Sequence, residues 1–136
     1  MESVSDSVRD KIANDRFAEF MGIRLLDLKK GYSKLIMTVT DEMINFHNVA
    51  HGGAIFALAD AAFAAAANSH GEKALALCMN INFCSPAKTG MKLIAEAFEE
   101  NLTKRTALYR ITVTSYDGTL IASSQGTEYR KTEKLI

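Results

Sequence analysis

The sequence predicts an α+β domain in which an antiparallel sheet of five to six strands wraps one long central helix. Three observations predict it. Residues 54–67 carry nine alanines in fourteen positions, with no glycine or proline, which is the composition of a helix interior. Residues 74–130 divide into runs of about ten residues that read as strands separated by turn signals. Strands in runs around a single major helix form an antiparallel sheet packed on that helix, not an alternating α/β sheet.

The elements follow in order. A short N-terminal helix is expected over about 3–20, where Val4, Val8, Ile12 and Phe17 suggest one apolar stripe, and Gly22 ends it. "IRLLDLKKG" (23–31) reads as a short strand closing in a turn at Lys30-Gly31. In "YSKLIMTVT" (32–40), Leu35, Met37 and Val39 alternate to one side, as a half-buried strand requires. His51-Gly52-Gly53 opens the central helix over 52–68, and Asn68-Ser69-His70-Gly71 stops it. "ALALCMNINF" (74–83), "MKLIAEAFEE" (91–100), "TALYRITVTSY" (106–116) and "TLIASSQGTEYR" (119–130) read as four strands in meander. Asp117-Gly118 is a strong hairpin signal between the last two. The single proline, Pro86, falls at a strand end, where a missing N–H does little harm.

With 136 residues and no linker or repeat, residues 1–136 form one domain. Sixteen basic residues balance sixteen acidic ones, and no basic stripe with interleaved aromatics appears, which argues against a nucleic-acid or membrane-surface binder. The polar N-terminus lacks the basic and apolar regions of a signal peptide. The apolar run around Asp60, roughly 16 residues, is short for a span and carries a charge at its centre. A cytoplasmic location is expected. Cys78 and Cys84 are expected to be free, buried thiols in a reducing compartment.

The chemistry concentrates between Asn45 and Asp60. Ala57, Leu58, Ala59, Ala61, Ala62, Phe63 and Ala64 surround Asp60, so a merely solvated helix face is a weak explanation for that acid. A partly desolvated carboxylate gains basicity and suits water activation or nucleophilic attack. Gly52 and Gly53 leave N–H groups unshielded at the positive end of the helix dipole, where a carbonyl becoming an oxyanion can bind; the alternative is a tight turn that needs glycine. Asn45 can orient a reacting group or simply close an Asx turn. His47 and His51 share a metal-like spacing but fall in a loop without a third ligand, so no metal is expected, and His51 instead anchors the turn. Gly52 and Asp60 are eight residues apart, roughly 12 Å along one helix. A single carbonyl cannot meet both in one chain. If both serve one reaction, the second group comes from an antiparallel copy, which a two-fold dimer supplies.

"NFHNVAHGGAIFALAD", with Asn45, His51, Gly52, Gly53 and Asp60 at these spacings, resembles the hotdog-fold acyl-CoA thioesterases, most closely the phenylacetic acid degradation type. "MNINFCSPAKTG" (79–90) is similar to the same family, and the likeness runs from about Phe20 to Arg130. The resemblance implies a hotdog fold paired into homodimers and commonly homotetramers. It also implies that Asp60 is general base or nucleophile, that Gly52 polarises the thioester carbonyl across the dimer interface, and that Asn45 orients the reacting group. No metal or cofactor is implied beyond coenzyme A as part of the substrate. The acyl group is expected beside Phe46, Leu58 and Phe63, and the CoA phosphates near Lys88, Lys104 and Arg105. Two other readings remain open on this fold: an acyl-CoA-binding sensor without catalysis, and an enoyl-CoA hydratase using His47 or His51.

Overall fold

The change from a helical to a strand period after residue 71 is the main event in the chain. In the computed structural model, which describes residues 1–136, the elements run α1 (Asp6–Ala13), α2 (Arg16–Phe20), β1 (Arg24–Lys29), β2 (Tyr32–Thr38), a single 3-10 turn (Asp41–Met43), α3 (Gly52–Asn68), β3 (Glu72–Phe83), β4 (Lys92–Leu102), β5 (Thr106–Ser115) and β6 (Leu120–Lys134). All six strands join one antiparallel sheet in the order β1-β2-β4-β5-β6-β3. The sheet wraps α3, and no helix is long and apolar enough to cross a membrane.

Two expectations need correction. The N-terminal helix is two helices. Asn14-Asp15 breaks it because the Asp15 carboxylate accepts from the Ala18 N–H at 3.0 Å and so starts a new helix, as Ser5 starts the first. The last four strands are also not one meander. β4, β5 and β6 follow one another, but β3 lies beyond β6, pairing Phe83 with Ala122 and Ala74 with Arg130. Residues 84–91 carry the chain back to the sheet centre, and the Ala87 carbonyl accepts from the Ala50 N–H at 2.7 Å on the way.

The buried face of α3 is Ala54, Ile55, Leu58, Ala59, Ala62, Phe63 and Ala65–Ala67. Alanines let the strands approach the helix, and Leu58 and Phe63 fill the gaps between them. Polar groups fix the register. The Ser33 hydroxyl donates to the Ala62 carbonyl and the Ser69 hydroxyl to that of Ala66, both at 2.6 Å, and Ser69 in turn accepts from the Gly31 N–H at 2.8 Å. Phe63 lies so close to β6 that a Cβ on Gly126 would sit 2.7 Å from its ring. The ring is buried against Tyr109 and has nowhere to swing. Gly126→Ala is therefore expected to destabilise the fold by about 1–3 kcal/mol, read as a lower urea midpoint.

β1 and β3 are the two edges of the sheet, and β3 is the longer. Leu75, Leu77 and Phe83 face solvent in the single chain, along a strand of 12 residues whose free backbone groups are unpaired on one side. Edges this long and apolar are normally covered. Cys78, on this edge strand, and Cys84, just past its end, are free but exposed rather than buried.

Candidate active site

The first turn of α3 has four N–H groups that need acceptors. Those of Ala54 and Ile55 reach the His51 carbonyl at 2.9 and 3.3 Å, and that of Gly53 donates to His51 Nδ1 at 2.8 Å. Only the Gly52 N–H is uncommitted. His51, the helix cap, thus puts the proton of its neutral ring on Nε2 and selects which glycine stays available. Its own N–H donates to the Met43 carbonyl at 2.6 Å, tying the helix start to the 3-10 turn. Gly52 opens onto a cavity of about 370 Å³ lined by Val49, Ile55, Phe83 and Pro86, with the Phe83 ring 3.2 Å from where a Cβ would stand. Phe83 was not singled out from the sequence, because only the fold carries the end of β3 back over the start of α3.

Asp60 lies two turns further along. It is not buried, as its neighbours in sequence had suggested. Ala59 and Ala62 turn inward, whereas Asp60 points outward with Ala57, Ala61 and Ala64 on the outer face of the helix. In the single chain its carboxylate is solvent-accessible, yet no side chain of the protein hydrogen-bonds or ion-pairs with it. The apolar mass around it raises its pKa above the ordinary aspartate value, and the nearby negative charge of Asp15 adds to this. Water access in the lone chain moderates that rise. Covering this face would strengthen it.

Asn45 sits in the loop that joins the 3-10 turn to α3. Its Oδ1 accepts from the His47 N–H at 2.9 Å and, more weakly, from that of Val49 at 3.4 Å, while Asn48 adopts the left-handed region at φ 62. The Asx turn is therefore real. It orients the side chain and leaves the amide NH₂ as the group Asn45 can offer a ligand.

The remaining candidates divide. Phe46 is 89% exposed beside the His47 ring, on the same loop as Asn45. Lys88 follows Ala87, which is bonded to the loop before Gly52, so it belongs to the same end of the chain. Lys104 and Arg105 do not. They form the β4–β5 turn beside Thr106, which pairs with Tyr129, at the opposite end of the sheet from Phe83. Leu58 and Phe63 are also displaced from the expected acyl contact: at 0% and 1% exposure they are core residues turned to the sheet. His47 and His51 lie on loop and cap rather than on one helix face, and no three His, Cys, Asp or Glu side chains converge.

A helix-terminal N–H without an acceptor can hold an oxyanion, and an unpaired carboxylate on an apolar face can take a proton, two capabilities that acyl transfer uses. The sequence matches the thioesterase superfamily over residues 47–122. An Archaeoglobus fulgidus protein provisionally named an esterase is 48% identical over 120 residues, covering 88% of this chain and 78% of its own. The acyl-coenzyme A thioesterase PaaI of Escherichia coli is 37% identical over 117 residues, covering 86% of this chain and 84% of its own. The structure of the E. coli PaaI protein from the phenylacetic acid degradation operon superposes with a TM-score of 0.91 at 33% identity, over 97% of this chain and 99% of that one. A Streptococcus mutans protein described as bound to acetyl CoA superposes with a TM-score of 0.81 at 25% identity, over 85% and 93% of the two chains. The chain belongs to the thioesterase superfamily and is a hotdog-fold thioesterase. Within that family it resembles the PaaI type.

Proposed function

We propose that this thioesterase hydrolyses acyl-CoA to a free acid and CoA at a site shared by two antiparallel copies, with Gly52 from one and Asp60 from the other. The observation that carries this reading is the placement of the two groups. The one free N–H of the helix start and the one unpaired carboxylate of the helix lie eight residues apart, roughly 12 Å, on a single rigid rod. Supporting the acyl-CoA substrate are the E. coli relative and the acetyl-CoA-bound S. mutans neighbour. Supporting the homodimer is the uncovered β3 edge with Leu75, Leu77 and Phe83; pairing of dimers into a tetramer rests on the family resemblance alone.

In the proposed reaction the thioester oxygen accepts from Gly52 N–H, and the facing Asp60 carboxylate takes a proton from water as the oxygen of that water attacks the carbonyl carbon. The tetrahedral oxyanion is held at Gly52. On its collapse the C–S bond breaks, and the sulfur leaves with the proton that Asp60 had taken. The alternative, direct attack by Asp60 to give an anhydride that water then opens, uses the same placement. The Asn45 amide lies on the loop that leads into Gly52 and is suited to orient the reacting group. No metal or cofactor enters either route.

Gly52→Pro tests this when read against Gly52→Ala, which brings the same Cβ to 3.2 Å from the exposed Phe83 ring but keeps the N–H. Proline is favoured at the first helical position, and His51 before it already has φ −60 and ψ 137, the conformation a following proline demands. The substitution deletes the one uncommitted N–H and is expected to lower kcat by about 10²–10³-fold with the oligomer intact. Mixing Gly52→Pro and Asp60→Asn chains, each inactive alone, then decides the geometry. Random exchange makes half the dimers mixed, each with one whole site, and restores about a quarter of native activity. No recovery after demonstrated exchange would end the two-copy reading.

A further inference from the structure

The turn between β4 and β5 and the neighbouring end of β6 carry cations that nothing in the chain neutralises. Lys104 and Arg105 are exposed in that turn, and Lys131 stands near them, because the Arg105 carbonyl accepts from the Arg130 N–H at 2.7 Å. None of the three has an ion-pair partner. The surface carboxylates of this end are already taken: Glu72 by Arg130, Glu133 by Lys73 and Glu100 by Arg110. We infer that Lys104, Arg105 and Lys131 hold the phosphates of the CoA moiety, in the site whose Asp60 belongs to the same copy and whose Gly52 belongs to the other. The inference rests on the two-copy reading and deepens it.

The position follows from how α3 lies along β3. At one end Gly52 lies against the Phe83 ring, and at the other Asn68 accepts from the Ala74 N–H at 2.9 Å. Asp60 is midway between them on the helix and so is level with about residue 79 of the strand. A two-fold axis that sets Gly52 of one copy against Asp60 of the other passes near Phe56, level with about residue 81, and lays the two β3 strands antiparallel. The thioester is then held level with about residue 79 of the copy that supplies Asp60. In that copy Arg105 is level with Ala74, since Arg130 beside it pairs with Ala74. The separation is about five residues along the strand and two strands across, roughly 19 Å.

That span suits CoA. Its pantetheine arm has ~13 bonds from sulfur to the first phosphorus, about 15 Å extended on the scale of a peptide backbone, and the other phosphates lie further out. Long Lys and Arg side chains close the difference, Arg as a fork and Lys as a point charge on phosphate oxygens. Gly52 of the same chain is about nine strand residues from this turn, roughly 30 Å, which the arm does not reach. The cations therefore serve the site only in trans to Gly52.

Lys104→Glu/Arg105→Glu reverses two of the charges in a turn held by its own bonds, from the Thr106 N–H to Thr103 Oγ1 at 3.0 Å and from the Thr103 N–H to the Thr106 carbonyl at 2.8 Å. With octanoyl-CoA, KM is expected to rise about 10-fold at low ionic strength and only about twofold in roughly 0.5 M salt, with kcat held. With S-octanoyl-N-acetylcysteamine, which has the thioester but no phosphate, variant and wild type are expected to agree. Equal losses on both substrates, or no change on either, would overturn the subsite.

Mixed chains then assign the copy. In a dimer of Gly52→Pro and Asp60→Asn chains, the whole site takes Asp60 from the first and Gly52 from the second. Adding the charge reversals to the Gly52→Pro chain is expected to raise KM, and adding them to the Asp60→Asn chain is expected to leave it unchanged. The opposite result overturns the assignment and leaves the shared site standing, whereas no recovery at all ends the shared site itself. Binding of CoA needs no turnover, and its Kd by calorimetry is expected to rise about 10-fold in the variant at low ionic strength. That rise with no thioester hydrolysed by the wild type would sink the reaction and keep the subsite; an unchanged Kd would sink the subsite and leave the reaction standing.

Discussion

Asp60→Asn is expected to lower thioester hydrolysis by about 10³-fold while the protein keeps its fold and oligomeric state. Asparagine has nearly the shape of aspartate but cannot take a proton from water or form an anhydride, so both proposed routes stop. Stability is not expected to suffer. Asp60 makes no hydrogen bond or ion pair within the chain, and its raised pKa means that its charge is held against the preference of its surroundings. The pH profile supplies a second readout. A general base or nucleophile acts only when ionised, so activity falls as pH drops through the pKa of Asp60. Because apolar surroundings and Asp15 both push that pKa up, the acid limb lies above the ordinary aspartate range. Asp15→Asn removes one of the two causes and is expected to move that limb to lower pH. Undiminished turnover by Asp60→Asn would take the residue out of the chemistry.

The parts of this fold that depend on local sequence were legible in it. The central helix runs Gly52–Asn68 as the alanine composition and its stop signal require, and Asp117-Gly118 does turn β5 into β6, with Gly118 at φ 93. What depended on a competing local signal or on distant pairing was not. The side chain of Asp15 restarts the N-terminal helix, and nothing in the apolar stripe announces it. β3 pairs with β6 because the chain crosses over at residues 84–91, and no period-2 pattern encodes which strand a strand will meet. The candidate site shows the same division. Asn45, Gly52 and Asp60 could be picked by residue type and spacing. The resemblance pointed to Gly52; the physical reason that Gly52 and not Gly53 is uncommitted, the His51 ring taking the second N–H, is visible only in the fold. Leu58 and Phe63 resembled pocket residues only because sequence neighbours of Asp60 look alike, whereas on the helix they lie on the inward face. On the proposed two-copy reading, the surfaces that leave Asp60 exposed and β3 uncovered are those a second copy would close, and a second copy leaves no mark in one sequence beyond the apolar residues it would cover.

Glu128 gives the largest expected effect on stability. It lies on β6 between Ala76 of β3 and Ala107 of β5, is completely buried, and neither carboxylate oxygen has a hydrogen-bond partner. Burial pushes its pKa from 4.5 up to about 7. The positive charge of Arg130 works against the rise, and the negative charge of Glu99 adds to it. Glu99 is itself held by His70 at 2.7 Å and by the Tyr109 hydroxyl at 3.1 Å, so neither of those partners turns to Glu128. Between pH 4.5 and about 7 the folded protein holds a proton on this group that the unfolded chain has released. Stability therefore falls as pH rises through that window and levels off above it. The full loss is about 3 kcal/mol, at about 1.4 kcal/mol for each pH unit the group is shifted. Glu128→Gln keeps the shape without the charge. It is expected to match the wild type near pH 4.5 and to exceed it by about 3 kcal/mol at pH 8.5, read from urea midpoints at one fixed protein concentration. Glu128→Met, which also removes the unpaired polar atoms, is expected to be at least as stable as Glu128→Gln at both pH values. Parallel pH dependences in wild type and Glu128→Gln would mean that this carboxyl is ionised and solvated in the folded protein, and that some other buried group governs its response to pH.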